Sequence, residues 1–151
     1  MGQQQLLLLV LGIVIVGLAV VVGIQAFGEN QKKANSDALV NDGVRIASDA
    51  QAWKLKPAAF GGGAGGANWQ TDAATPVSLS FEQLGYKLGG NDCAATEYGN
   101  INGCFTMSGQ TSANLVIVGK SHAAQALDNI VTVTVSGTTP ESITTAVTTG
   151  S

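Results

Sequence analysis

From Leu6 to Ile24 every residue is apolar or glycine, and the first ionisable side chain is Glu29. At about 1.5 Å per residue, a helix of this stretch spans the roughly 30 Å hydrocarbon core of a bilayer. It can serve as a permanent span, as a cleavable signal, or as a segment that leaves the membrane and packs against other protein. A cleavable signal fits poorly, because no Lys or Arg precedes the apolar run and no small-x-small cleavage site follows it.

The helical pattern continues beyond this apolar run. Apolar and small residues recur at spacings of three and four, at Leu39, Gly43, Ile46, Ala47, Ala50 and Trp53. This spacing predicts one buried stripe on an amphipathic helix. Pro57 ends the pattern, because the residue before a proline is pushed out of the α region. We therefore predict one helix over residues 1–56, with an apolar half at 1–28 and an amphipathic half at 29–56.

The rest of the chain reads as a Gly-rich connector, residues 57–76, followed by a β head, residues 77–151. Strand signals occupy 77–81, 104–108, 114–119 and 129–137. The continuous apolar run at 114–119 predicts a central strand, and the Thr-rich tail is either a fifth strand or an extension. The fold class is α+β, a long N-terminal helix with a small antiparallel sheet packed on its C-terminal half. We expect that sheet to cover Leu39, Ile46, Ala50 and Trp53.

Charge is sparse and unevenly distributed. Charged residues make up 11% of the chain, well below the usual quarter. Residues 1–56 carry five Lys or Arg and four Asp or Glu, which is +1, and the remainder carries two against six, which is -4. We expect no direct nucleic-acid binding, because phosphate recognition needs clustered Lys and Arg.

The chain has two cysteines, Cys93 and Cys104, in a polar, Gly-containing stretch. An even count in a chain with an export-like N-terminus suggests one disulfide. Closing so short a loop contributes about 3 kcal/mol in the chain-entropy model. The alternative is two reduced, buried cysteines. A zinc site would need further ligands, and His122 is the single histidine available.

No residue pattern indicates an enzyme or a bound cofactor. Ser121 and His122 are adjacent in sequence, which is not the arrangement of a catalytic pair, and a third group is not evident. Asp92 and Glu97 lack the ligand spacing of a known calcium loop and read as a solvated acidic loop. The glycines of the connector lack the Lys-Ser/Thr ending of a phosphate-binding loop.

A very apolar half-helix, an amphipathic continuation and a small disulfide-bearing β head together resemble type IV pilins and their pseudopilin relatives. The resemblance covers residues 1–56 well and the head in outline. It implies that the helix first lies in the inner membrane and is then extracted into the core of a filament. It also implies removal of a basic leader after a glycine. Met1 then fits the first mature residue, and cleavage after Gly2 to leave Gln3 is the alternative.

One position departs from the family pattern. Mature pilins carry Glu at position five, where it is thought to pair with a neighbour's N-terminal amine, and this chain has Gln5. An amide accepts a hydrogen bond without contributing charge, and charge-assisted bonds are roughly twice as strong. Either assembly depends less on this pair, or the mature end lies elsewhere.

The residues expected to carry polymerisation are spread along the apolar half: Met1, Gln5, Leu6, Leu9, Gly12, Val16, Ala19 and Gly23. Ala19 and Gly23 have the small-xxx-small spacing that lets helices approach closely. Related filaments often have a locally unwound stretch in this helix. Because glycine weakens a helix by about 1 kcal/mol relative to alanine, we expect any unwinding between Gly12 and Gly23.

The function implied by the resemblance is that of a structural subunit of an extracellular type IV pilus-like filament. Its partners would be copies of itself and the pilus assembly machinery of the inner membrane, with membrane contact only before assembly. Adhesion, motility and DNA uptake are the roles that the resemblance implies, and the sequence does not choose among them. The alternatives are a single-span, membrane-anchored surface binding module and a pseudopilin of a secretion system.

Overall fold

The computed structural model describes residues 2–71 and 74–149. By its internal contacts the chain divides into two compact units between Ala34 and Asn35. We call residues 2–34 the apolar unit and the described residues from 35 to 149 the head unit. The predicted long N-terminal helix is present as α1, Gly2–Leu55.

Helix α1 is continuous through Gly12, Gly17 and Gly23, so the unwinding expected between Gly12 and Gly23 is not found in this chain. Isolated glycines cost about 1 kcal/mol each relative to alanine. Opening the helix would instead leave backbone N–H and C=O groups without partners, which costs more in an apolar setting. The cost of the glycines is therefore too small to open the helix.

The head unit contains one five-stranded antiparallel sheet whose strand order equals the sequence order. Its strands are β1 (Tyr98–Gly99), β2 (Gly103–Ser108), β3 (Leu115–Ser121), β4 (Ile130–Val135) and β5 (Ile143–Thr148). The apolar run predicted as a central strand is β3, and the Thr-rich tail supplies β5 rather than an extension. The predicted α+β fold class is confirmed.

The core lies between one face of this sheet and the head portion of α1. Alternation along β4 buries Val131, Val133 and Val135, which face α1 together with Leu115 and Ile117 of β3. Gly43 marks the closest approach, because a Cβ atom at this position would lie 2.8 Å from Cγ2 of Val133. The helix and β4 therefore lie so close at this point that only a residue without a side chain fits between them.

The strand predicted at 77–81 is wrong. Among the described residues this segment pairs through an isolated bridge between Gln70 and Ser78, and its end turns at 81–85. Two backbone bonds, from Thr71 N to Val77 O and from Leu79 N to Trp69 O, are too few to extend a ladder. Leu79 and Phe81 are nevertheless buried, so the alternating pattern correctly indicated burial while strand pairing failed.

Candidate assembly surface and disulfide corner

The apolar unit exposes large aliphatic side chains on every side of the helix. Leu6, Leu9 and Val16 are 66%, 63% and 63% exposed, and Phe27 is 74% exposed. Contiguous apolar surface of this extent is rare on soluble monomers and marks a membrane or protein contact. Within residues 2–71 and 74–149, one helix, α1, is long and apolar enough to cross a membrane, with a mean hydropathy of 3.2 over its best window.

The polymerisation residues predicted from sequence lie on this surface, apart from Met1, which is outside the described residues. Gln5, Gly12, Ala19 and Gly23 are all exposed. A Cβ atom added at Gly12 or Gly23 would meet no atom within 4 Å. None of the residues that the structure describes therefore uses the small size of these two glycines.

In the head unit, α1 buries the stripe formed by Leu39, Ile46, Ala50 and Trp53 against the sheet and its loops. Polar contacts flank this stripe. Gln51 Nε2 donates to the carbonyl oxygens of Gly137 and Thr139 at 2.9 and 2.8 Å. These bonds tie the end of β4 and the following loop to the helix, because the buried amide satisfies carbonyls that no strand reaches.

A second polar contact joins the helix to the loop between β1 and β2. The Asp42 carboxylate accepts hydrogen bonds from Asn100 Nδ2 at 2.8 Å and from Asn102 Nδ2 at 2.7 Å. The Asn100 side-chain oxygen in turn accepts from the backbone N–H groups of Asn102 and Gly103 at 2.9 and 3.0 Å. The loop backbone is therefore held in one conformation beside the helix.

The Gly-rich segment folds back onto the C-terminus of α1. The N–H groups of Gly63, Ala64 and Gly65 donate to the carbonyls of Trp53, Lys56 and Lys54. These bonds satisfy carbonyls that a helix end leaves unpaired. The segment predicted as a connector therefore also caps the helix.

Lys54 lies under this cap, and its Nζ stands 4.2 Å from the ring centre of the buried Trp69. Burial lowers the pKa of the Lys54 ammonium, because the charged form loses hydration. The Trp69 ring face partly replaces that hydration through a cation–π contact. Trp69 Nε1 donates to Ala113 O at 3.0 Å, so its polar edge is also satisfied.

The predicted disulfide between Cys93 and Cys104 is present, with the two Cα atoms 5.6 Å apart. The sequence identified His122 as the single histidine available to the cysteines but did not place it beside this bond. His122 Nδ1 lies 3.7 Å from Cys104 Sγ, and His122 Nε2 lies 2.6 Å from the carbonyl oxygen of Asn100. We call these three residues, Cys93, Cys104 and His122, the disulfide corner.

The register of β2 and β3 explains how the corner forms. Cys104 pairs with Lys120, so residue 122 follows on the same side as a diagonal neighbour of Cys104. The two strand signals of β2 and β3 predict a hairpin, which could have brought His122 near Cys104. The register of that hairpin depends on the conformation of the loop at 109–114, which the sequence does not determine. The sequence places His122 next to Ser121, whereas the contact that matters in the fold is with Cys104.

Comparisons of the chain with protein-family models, curated proteins and solved structures return no match.

Proposed function

We propose that this protein is the structural subunit of an extracellular type IV pilus-like filament, held together by packing of the apolar units. One observation carries the proposal: the apolar unit exposes its whole circumference, while the head unit has a core of its own. At about 0.8 kcal/mol per buried CH2 group, covering such a surface strongly favours association.

The layout of the chain supports a polymer more than an isolated anchor. The exposed glycines and alanine of the apolar unit let helices approach closely, and the head unit presents a sparsely charged, disulfide-closed β surface. In this proposal the head units form the outside of the filament. Gln5 then accepts a neutral hydrogen bond at the position where pilins carry a carboxylate.

The second candidate is a single-span, membrane-anchored surface module. It is favoured by the finding that α1 is long and apolar enough to cross a membrane. The two proposals differ in one property: a filament subunit leaves the membrane, and an anchor remains in it.

The test is made on cells that carry the protein together with its assembly machinery. Material sheared from these cells is imaged by electron microscopy, and its subunit is identified by mass spectrometry. We expect thin filaments built of this chain. Recovery of the chain only in the membrane fraction, without filaments, would contradict the polymer proposal and favour the anchored module.

Paired charge substitutions sharpen this test. Val16→Asp places a carboxylate in the apolar unit, where a membrane or a packed helix disfavours it by about 3 kcal/mol. Asn41→Asp adds the same carboxylate at an exposed position of α1 in the head unit. We expect filaments from Asn41→Asp and none from Val16→Asp, with both head units folded.

A further inference from the structure

The disulfide corner brings an imidazole beside two cysteines that are bonded as a disulfide, and these two cysteines become ligands for thiophilic metals when the bond is reduced. The sulfur and imidazole donor atoms of Cys93, Cys104 and His122 all lie within 4.8 Å of one another. In a tetrahedral zinc site, with Zn–S about 2.3 Å and Zn–N about 2.0 Å, a sulfur and a nitrogen ligand are about 3.5 Å apart. The observed distance from Cys104 Sγ to His122 Nδ1 is 3.7 Å.

The hydrogen bond of His122 orients the ring for this role. Because the Asn100 carbonyl can only accept, His122 Nε2 carries the hydrogen and donates across 2.6 Å. In the neutral ring the lone pair is then on Nδ1, the nitrogen next to Cys104 Sγ. Metal-binding histidines usually donate their second N–H to a carbonyl or carboxylate in this way. The Asn100 side chain is itself held by Asp42, so the acceptor is anchored to the helix.

We propose that the head unit, once the Cys93–Cys104 disulfide is reduced, binds one Zn²⁺ through Cys93 Sγ, Cys104 Sγ and His122 Nδ1. A water molecule completes the tetrahedron, since all three residues are only half-buried. Reduction breaks the S–S bond as a dithiol supplies two electrons and two protons and is itself oxidised to a disulfide. The metal then displaces the two thiol protons, which pass to solvent.

Zinc binding requires the two sulfurs to separate. Cys104 is paired in β2, and His122, which directly follows β3, is held by its hydrogen bond to the Asn100 carbonyl. Cys93 lies outside the five strands, in the segment before β1. In the proposed site Cys93 Sγ therefore moves to about 3.8 Å from Cys104 Sγ, the separation of two thiolates on one zinc ion. The same loop is closed by a covalent bond when oxidised and by the metal when reduced.

The test uses the full chain in detergent, reduced with dithiothreitol that is then removed under nitrogen. Co²⁺ is the probe, because tetrahedral thiolate coordination gives intense charge-transfer and visible bands. We expect one Co²⁺ per reduced chain, displacement of cobalt by Zn²⁺, and no bands from the oxidised chain.

His122→Gln retains an amide donor for the Asn100 carbonyl but removes the imidazole ligand, and we expect at least a tenfold loss of affinity for Co²⁺. Ala124→Gln, on the exposed neighbouring turn, is the matched control and should bind normally.

A second measurement does not depend on a variant folding. The chain has one histidine, so its ring nitrogen NMR signals are unambiguous, and we expect the Nδ1 signal to shift when Zn²⁺ is added to the reduced protein. Three results would overturn the proposal: no cobalt bands, one cobalt ion shared by two chains, or an unchanged ring signal. Each is independent of whether the chain forms filaments.

Discussion

The two units share one helix and follow opposite rules of burial. Between residues 2 and 31 every side chain is exposed, whereas nine residues of α1 from Ser36 onward are buried. The backbone hydrogen bonds are the same in both parts, so helix formation alone does not distinguish them. What differs is the spacing of apolar residues: all round the helix in the apolar unit, and in one stripe in the head unit. A stripe is covered by the chain's own sheet, whereas an all-round apolar surface is left for a membrane or another protein to cover.

The largest expected difference between the units comes from replacing one leucine in each. Leu39 is fully buried, with its Cδ2 beside Gly103, and Leu9 is 63% exposed. We expect Leu39→Ala to lower the free energy of unfolding of the head unit by about 2–5 kcal/mol, through lost burial and a residual cavity. Leu9→Ala should leave that free energy unchanged, because Leu9 contributes nothing to the head core.

Denaturant unfolding in detergent, followed by tryptophan fluorescence, measures this difference. The chain has two tryptophans, Trp53 and Trp69, and both are buried in the head unit, so the signal reports the head alone. An equal loss of unfolding free energy from both substitutions would mean that the two units unfold together and are not independent in stability.

The same contrast explains how much of the molecule could be predicted from sequence. The helix bounds, the central strand and the buried face of β4 follow from apolar periodicity, which is a local signal. The segment at 77–81 has the same period as a strand, but in the described part of the chain it pairs with the short stretch around Gln70, outside the sheet. Whether an alternating segment joins a ladder depends on what lies beside it, and the sequence does not state this.

The disulfide corner was predictable only in part for a related reason. Cys93 and Cys104 are near in sequence, so their pairing could be inferred from spacing and count. His122 reaches Cys104 through the register of β2 and β3, and a change of register by one residue would move it to the other face. Contacts across a hairpin therefore need the register, while contacts along a helix need only the spacing.

Substitution of one glycine in each unit tests the same difference between the units, with a smaller expected effect on stability. Gly43 faces Val133 at a distance that leaves no space for a side chain, whereas a Cβ atom at Gly23 meets nothing within 4 Å. We expect Gly43→Leu to destabilise the head unit by about 1–3 kcal/mol, because overpacking pushes the helix from β4. Gly23→Leu should leave head unfolding unchanged, because leucine favours the helix and nothing in the chain obstructs it. A thermal unfolding midpoint for Gly43→Leu equal to that of the unsubstituted chain would contradict the close approach.

The smallest expected effect concerns a hydrogen bond at the edge of the helix–head contact. The Tyr86 hydroxyl donates to the Asp49 carboxylate. Burial, and then this hydrogen bond and the negative charge of Asp49, raise the pKa of the Tyr86 phenol above its usual value near 10. At neutral pH we expect Tyr86→Phe to cost about 1 kcal/mol, measured by denaturant unfolding.

The pH dependence separates this bond from simple packing. Because the phenol pKa is higher in the folded state than in the unfolded state, its stabilising contribution is complete below pH 10 and declines as the pH rises beyond that. Tyr86→Phe removes this contribution, so its unfolding free energy should fall less steeply above pH 10 than that of the unsubstituted chain. Tyr98→Phe is the comparison, since that ring lies 4.7 Å from the Tyr86 ring, centre to centre; it leaves the bond to Asp49 in place and removes only the smallest of the causes that raise the Tyr86 pKa. The apolar unit has no ionisable side chain before Glu29, so Val16 and its neighbours cannot produce this slope. Equal slopes for Tyr86→Phe and the unsubstituted chain would show that the hydroxyl is solvated rather than bound to the helix.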